Sequence, residues 1–148
     1  MILPLPDLPA TEQLAEKLAS RLGAGDMLAL SGELGAGKTS FARALLRALG
    51  VFDEVPSPTF TLLQNYDLPG LRVSHFDLYR LRDSTELDEL GWDDALTESL
   101  VIVEWPERAG PRLPHDYLAL HFNLDAKGRN VTLTPHGGWT ERLAKALA

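Results

Sequence analysis

The 148-residue chain contains no cysteine, which excludes disulfides and thiolate metal sites but says little about compartment. No apolar run is long enough to cross a bilayer. The first ten residues, MILPLPDLPA, lack a basic region and are broken by prolines, so they read as neither a signal peptide nor a membrane span. There is no internal repeat and no low-complexity tract. Positive charge is also scarce: 14 basic residues stand against 21 acidic ones, for a net charge of −7. That balance disfavours tight, unassisted binding of nucleic acid, which needs clustered Lys and Arg on phosphates. The four histidines, at 75, 115, 121 and 136, show no metal-ligand spacing and read as core or surface residues. The expectation is a soluble cytoplasmic protein. Its apolar fraction of 45% suits a single domain over residues 1–148.

Against this background one segment stands out. Residues 32–39 read Gly-Glu-Leu-Gly-Ala-Gly-Lys-Thr, the pattern G-x-x-x-x-G-K-T of a phosphate-binding loop. Average residue usage would produce it in roughly 0.5% of chains this long. Each fixed position has a task at a nucleoside triphosphate. Gly32 and Gly37 let the backbone turn tightly and bring N–H groups to phosphate oxygens, Lys38 neutralises the β- and γ-phosphates, and the Thr39 hydroxyl is a ligand for Mg²⁺. The context agrees. The apolar run 27–30 suits a parallel strand buried on both faces. After the loop, Phe41, Ala44, Leu45, Ala48 and Leu49 recur at helical spacing before Gly50. Strand, glycine loop and helix together aim a helix N-terminus at phosphate.

Further elements follow from pattern. Thr11 is a plausible N-cap for an amphipathic helix marked by Leu14, Ala15, Leu18 and Leu22. Pro56 and Pro58 make 51–58 a loop. Segments 59–66 and 71–79 read as an antiparallel hairpin around Asp67, Pro69 and Gly70. Residues 85–96 are acidic and helical, interrupted at Gly91. The run 100–103 is a second buried strand, a loop lies between Pro106 and Pro111, strands are expected at 117–123 and 130–134, and a last helix at 139–147. The predicted fold is a mixed α/β sheet of the P-loop NTPase kind, flanked by helices, with a parallel centre and antiparallel additions.

Hydrolysis needs more than a phosphate loop: a carboxylate near Mg²⁺ and a group that places water. Two acids end apparent strands, where α/β sites gather. Glu104 follows Leu-Val-Ile-Val, the form of a Walker B element, and Asp77 ends the alternation Val73-x-His75-x-Asp77. Either acid fits either task; strand capping or a surface ion pair are the structural alternatives. Ser57, Thr59 and Thr61 offer hydroxyls of the kind a switch segment uses, or belong to a loop shaped by proline. Arg80, Arg82 and Arg108 are candidates to meet phosphate charge, or to form salt bridges. Trp105 reads as packing or, if exposed beside a nucleotide, as a partner contact. Asp67 and Gly70 match a GTPase D-x-x-G, but the hairpin turn explains them better. No Asn-Lys-x-Asp guanine reader occurs, so ATP is preferred to GTP.

Taken together, GELGAGKTSFARALLRALG (32–50), SPTFTL (57–62), HFDLYRL (75–81), ELDELG (86–91) and VEWPER (103–108) resemble the bacterial TsaE family, also called YjeE. The resemblance covers about residues 4–112 and thins in the C-terminal strands. It implies a small Mg-dependent P-loop ATPase, slow in isolation, required for threonylcarbamoyl modification of the anticodon-loop adenosine in tRNAs reading ANN codons. Such a protein binds a heterodimer of TsaB and TsaD, its ATP hydrolysis resets that complex, and tRNA is engaged only indirectly. By position, Gly35, Ala36, Gly37, Lys38, Thr39 and Ser40 are expected at phosphate and Thr39 with Glu104 at Mg²⁺. Asp77, Glu104 and Lys38 are expected to act in hydrolysis, and Thr11 to lie near the nucleotide base. The alternative is a small-molecule kinase of the same P-loop class, which shares the loop and a similar length. Its only candidate lid, 81–96, is acidic and repels ATP more than it clamps it.

Overall fold

The computed structural model describes residues 1–33, 35–52 and 61–148. The described strands are β1 (Ile2–Pro4), β2 (Met27–Gly32), β3 (Leu63–Leu68), β4 (Leu71–Asp77), β5 (Ser99–Glu104), β6 (Tyr117–Asp125) and β7 (Gly128–His136). They form one sheet in the order β1-β7-β6-β2-β5-β4-β3. The four central strands, β6, β2, β5 and β4, are mutually parallel, and antiparallel pairs close both sides. The parallel centre with antiparallel additions is therefore the observed architecture.

The apolar runs dictate this layering. In β2, Leu28 and Leu30 face one side and Met27 and Ala29 the other. In β5, Leu100 and Ile102 alternate with Val101 and Val103 in the same way, and all eight residues are buried. Strands apolar on both faces need helices on both faces. Helices α1 (Leu8–Ala19), α2 (Lys38–Leu49) and α5 (Trp139–Ala146) contribute Leu14, Leu18, Phe41, Leu45 and Trp139 to the first core. The short helices α3 (Glu86–Glu89) and α4 (Trp92–Glu98) and the 3₁₀ segment Pro106–Arg112 cover the opposite face with Leu87, Trp92 and Ala109.

Several sequence expectations change. Thr11 is not the N-cap of α1: Asp7 is, accepting the Ala10 N–H at 3.0 Å. Pro9 fits the first turn because its missing N–H would have had no partner there. Thr11 lies inside the helix and is buried. Of the expected start of the first hairpin strand, 59 and 60 lie outside the described residues, 61 and 62 are a turn with Leu62 left-handed (φ 65°), and the strand starts at Leu63. The expected loop between the two prolines holds 3₁₀ turns, interrupted at Gly110. Strand β1 had no expectation at all, being three residues long on the sheet edge. Pro69 and Gly70 do turn the β3–β4 hairpin, with Gly70 at φ 77° and Arg72 Nε donating to Asp67 at 2.7 Å. This is what the D-x-x-G match reflects. Among the described residues no helix is long and apolar enough to cross a membrane.

Beyond its buried face, helix α5 is tied down through Arg142. Arg142 donates from Nη1 to Asp26 Oδ1 at 2.7 Å and from Nη2 to Asp26 Oδ2 at 3.0 Å and to the Arg21 carbonyl at 2.9 Å. It also lies 4.0 Å from the Trp139 ring centroid. Asp26 in turn accepts the Gly23 N–H at 2.9 Å, so the pair clamps the turn that feeds β2. A two-pronged Arg–carboxylate contact outweighs an ordinary surface pair. Arg142→Ala is expected to cost about 1–2 kcal/mol in urea unfolding, and Arg142→Lys to recover only part, because an ammonium cannot span both oxygens.

Candidate functional site

The three central strands next to the glycine loop end side by side. Leu30 of β2 pairs with Glu104 of β5, and Glu104 pairs with Asp77 of β4. In parallel strands, residues paired in this way present their side chains to the same face. Alternation within each strand puts Asp77, His75 and Glu104 on the face that carries Val73, Leu100, Ile102 and α2. Both acids are buried, at 5% and 6% exposure. Asp77 accepts the Tyr79 N–H at 3.0 Å.

Between β2 and α2 the loop turns on glycine. Gly32, Gly35 and Gly37 have φ of 129°, 84° and 118°, a region that costs an L side chain roughly 1–2 kcal/mol. Leu34 lies outside the described residues. A Cβ on Gly32 would also collide with the Phe122 carbonyl oxygen. Phe122 backs the loop from β6: its ring lies 3.7 Å from where a Gly37 Cβ would sit, and 5.6 Å from the Phe41 ring. Ala36 N–H closes a turn onto the Glu33 carbonyl at 3.1 Å, and Arg129 Nη2 donates to the Gly35 carbonyl at 3.3 Å.

Gly37 is the N-cap of α2 and supplies no side-chain cap. Lys38, Thr39 and Ser40 form the first turn, whose N–H groups have no acceptor within the helix. The far end is finished by its own backbone: Val51 N–H bonds the Leu46 carbonyl at 2.9 Å and Gly50 N–H the Arg47 carbonyl at 3.1 Å. Partial positive charge is therefore left at the loop end. Thr39 and Ser40 are exposed and Lys38 is buried.

Among the described residues Lys38 Nζ has no hydrogen-bond partner, and it lies 4.2 Å from the centroid of the Trp105 ring. A cation–π contact is worth about 0.5–2 kcal/mol. Desolvating an ammonium costs several kcal/mol. The ring therefore compensates Lys38 only in part, and the ammonium is chemically suited to an anion. Trp105 follows Glu104 directly and sits in the left-handed region (φ 57°, ψ 53°), 5.0 Å from the Tyr79 ring. This contact joins the end of β5 to the loop lysine.

Sequence reasoning missed two residues here. His75 was read as core or surface, yet its Nε2 lies 2.8 Å from Glu104 Oε2. The signal was present in the Val73-x-His75-x-Asp77 alternation, which puts His75 on the face of Asp77. Phe122 had no signal, because only the three-dimensional crossing of β6 brings it to the loop. Other expected residues fall elsewhere. Thr11 faces the core from α1, and its neighbour Glu12 shares with Ser40 and Arg43 a cleft of about 340 Å³ between α1 and α2. Ser57 and Thr59 lie outside the described residues, and Thr61 is exposed. Arg108 Nη1 donates to the Leu81 carbonyl at 3.5 Å. Among the described residues no three His, Asp or Glu side chains gather as a metal cluster.

Two loop glycines separate steric from conformational cost. Gly35→Ala meets no atom within 4 Å and is expected to cost about 1–2 kcal/mol. Gly32→Ala adds a collision with backbone and is expected to cost clearly more. Urea unfolding of the two variants checks the order; equal losses would contradict it.

Comparison with known proteins gives a consistent picture. The family described as "Threonylcarbamoyl adenosine biosynthesis protein TsaE" matches residues 5–131, past the C-terminal limit of the sequence resemblance and into β7. A Rickettsia felis protein named tRNA threonylcarbamoyladenosine biosynthesis protein TsaE is 43% identical over 98 residues, covering 66% of this chain and 57% of its own length. The chain thus spans little more than half of that relative. A Streptomyces coelicolor protein of the same name is 39% identical over 142 residues, covering 90% of this chain and 94% of its own. The crystal structure of Bacillus subtilis YdiB superposes with a TM-score of 0.82 at 28% identity, covering 99% of this chain and 93% of that one. With residues 5–131 matched by the family and a relative 39% identical across 90% of this chain, the chain belongs to the TsaE family.

Proposed function

We propose that the chain is a Mg²⁺-dependent ATPase that serves tRNA threonylcarbamoyladenosine biosynthesis as an accessory subunit. The observation that carries this reading is Lys38. Among the described residues its ammonium is buried without a hydrogen-bond partner at the mouth of an uncapped helix N-terminus, and the ring beside Glu104 compensates it in part. A lysine, a run of first-turn N–H groups and a glycine bend fit a polyphosphate.

In this reading Gly35, Ala36, Gly37, Lys38, Thr39 and Ser40 hold the phosphates of ATP. The donor set also suits Mg²⁺, which is usually held by one or two carboxylates and substrate phosphates rather than by a dedicated protein cage. The Thr39 hydroxyl and the Glu104 carboxylate would hold it. When bound, the ion neutralises charge on the transferred phosphoryl group. Asp77, buried beside Glu104, is assigned to water, as acceptor of its proton or as its orienting group. Lys38 offsets charge that develops on the phosphate oxygens. Thr11 keeps its expected place near the base only through its helix: its own side chain is buried, and its neighbour Glu12 shares with Ser40 the cleft between α1 and α2.

The kinase alternative loses its lid. Leu81, Leu87 and Trp92 of 81–96 are buried in the second core. Trp92 Nε1 donates to the Arg112 carbonyl at 3.0 Å, and Arg112 binds Asp88 at 2.7 Å and Asp93 at 3.2 Å. That segment is a fixed layer on the face opposite α2. Family membership supports the remaining assignments: TsaB and TsaD as partners, hydrolysis as the step that resets their complex, and tRNA met only through them.

Lys38→Ala is expected to weaken ATP binding by about 100-fold, the loss of one charged contact worth ~3 kcal/mol. Calorimetric titration reads it, and unchanged affinity would remove the phosphate site. The isolated chain is expected to hydrolyse ATP slowly, to stop when EDTA removes Mg²⁺, and to change rate when TsaB and TsaD are added. Indifference to those partners would reopen the kinase reading.

A further inference from the structure

We propose that His75 is a positioning residue for Glu104: it holds one carboxylate oxygen so that the other is presented to the metal. This role rests on the reading of Glu104 as a Mg²⁺ ligand. Parallel register pairs His75 with Ile102, two residues before Glu104 on the neighbouring strand, so the imidazole reaches diagonally along the shared face. Nε2 and Oε2 are 2.8 Å apart, with side-chain exposures of 4% and 8%. An ionised carboxylate only accepts, so in this bond Nε2 acts as the donor. Nδ1 is buried without a partner among the described residues, where a second N–H would be stranded.

Stability does not account for this pair. A buried polar pair replaced by well-packed apolar side chains is often as stable or more so. On this face Val73 and the register partner Ile102 flank His75 with apolar surface, while Gln64 of β3 and Asp77 flank it with polar groups. Apolar side chains at both 75 and 104 would extend the core without a partnerless ring nitrogen, so stability alone does not select the pair, whereas leucine at 75 by itself leaves the buried Glu104 oxygen unpaired. What the histidine adds is direction. Glu104 has a free choice of rotamer only until Oε2 is bound, and a hydrogen bond from a rigid ring fixes it. Outer partners of this kind set the orientation of metal-binding carboxylates, and their loss typically costs 10–100-fold in metal affinity. The arrangement leaves Lys38 and the helix N-terminus untouched, so phosphate binding without metal should not depend on it.

The test measures ATP affinity with Mg²⁺ and with EDTA for the full chain, His75→Leu and His75→Gln. The Mg²⁺-dependent gain in affinity is expected to fall about tenfold in His75→Leu. Affinity in EDTA should stay within about twofold, and His75→Gln, whose amide N–H can donate to Glu104, should keep most of the gain. A His75→Leu variant with the full gain, or an equal loss with and without metal, overturns the role. If His75→Leu does not fold, His75→Gln is compared with His75→Asn, one carbon shorter. Retention by Gln with loss in Asn supports the role, and identical behaviour overturns it. A wild-type chain whose ATP affinity ignores Mg²⁺ would instead overturn the metal site itself, and the role with it.

Discussion

Three parallel strands end level with one another, and the site exists because they do. The register Leu30–Glu104–Asp77 sets two buried acids next to the strand that feeds the glycine loop. It is fixed by packing. β2 and β5 are apolar on both sides, so each residue belongs to one of two cores. A slip of one residue would exchange the two sets of side chains. Glu104 would then point at the α3–α4 layer, away from Lys38 and His75. Hydrophobic burial of the strands is thus the constraint that aims the carboxylates.

The two faces of the sheet have different work. The α2 face holds the loop, the lysine and the acids. The opposite face is a packed layer in which Arg112 ties α3 and α4 to the 3₁₀ segment. Trp105 joins them: it packs against the second core while its ring meets Lys38. Its left-handed backbone costs roughly 1–2 kcal/mol. Such a conformation persists only where the surroundings impose it, and here Glu104 precedes it at the end of a fully buried strand and Pro106 follows. Under the proposed function, this corner connects phosphate occupancy at Lys38 with the surface carrying Tyr79, which is itself exposed.

Much of this was legible in the sequence, for identifiable reasons. The strands β2 and β5 are dense apolar runs, and α2 is bracketed by glycines at both ends. The loop's chemistry is spelled out by residue type. Asp77 and Glu104 were legible because each follows a strand pattern. Thr11 misled because a threonine before an apolar helix resembles a cap, whereas the preceding Asp7 and Pro9 give the true start. Strand β1 is three residues long and exposed at two of them, too short for periodicity to register. The His75–Glu104 bond and the Phe122 carbonyl behind Gly32 depend on which strands become neighbours. Residue spacing within a strand does not contain that information.

The central claim is that the end of the sheet beside Lys38 receives ATP. A crystal structure of the chain with a non-hydrolysable ATP analogue and Mg²⁺ tests it most directly. The account predicts the phosphates at the first turn of α2, with Lys38 Nζ turned from the Trp105 ring onto phosphate oxygens and Glu104 at the metal. An analogue bound elsewhere, or phosphates in the loop with Glu104 still remote from the ion, would contradict it.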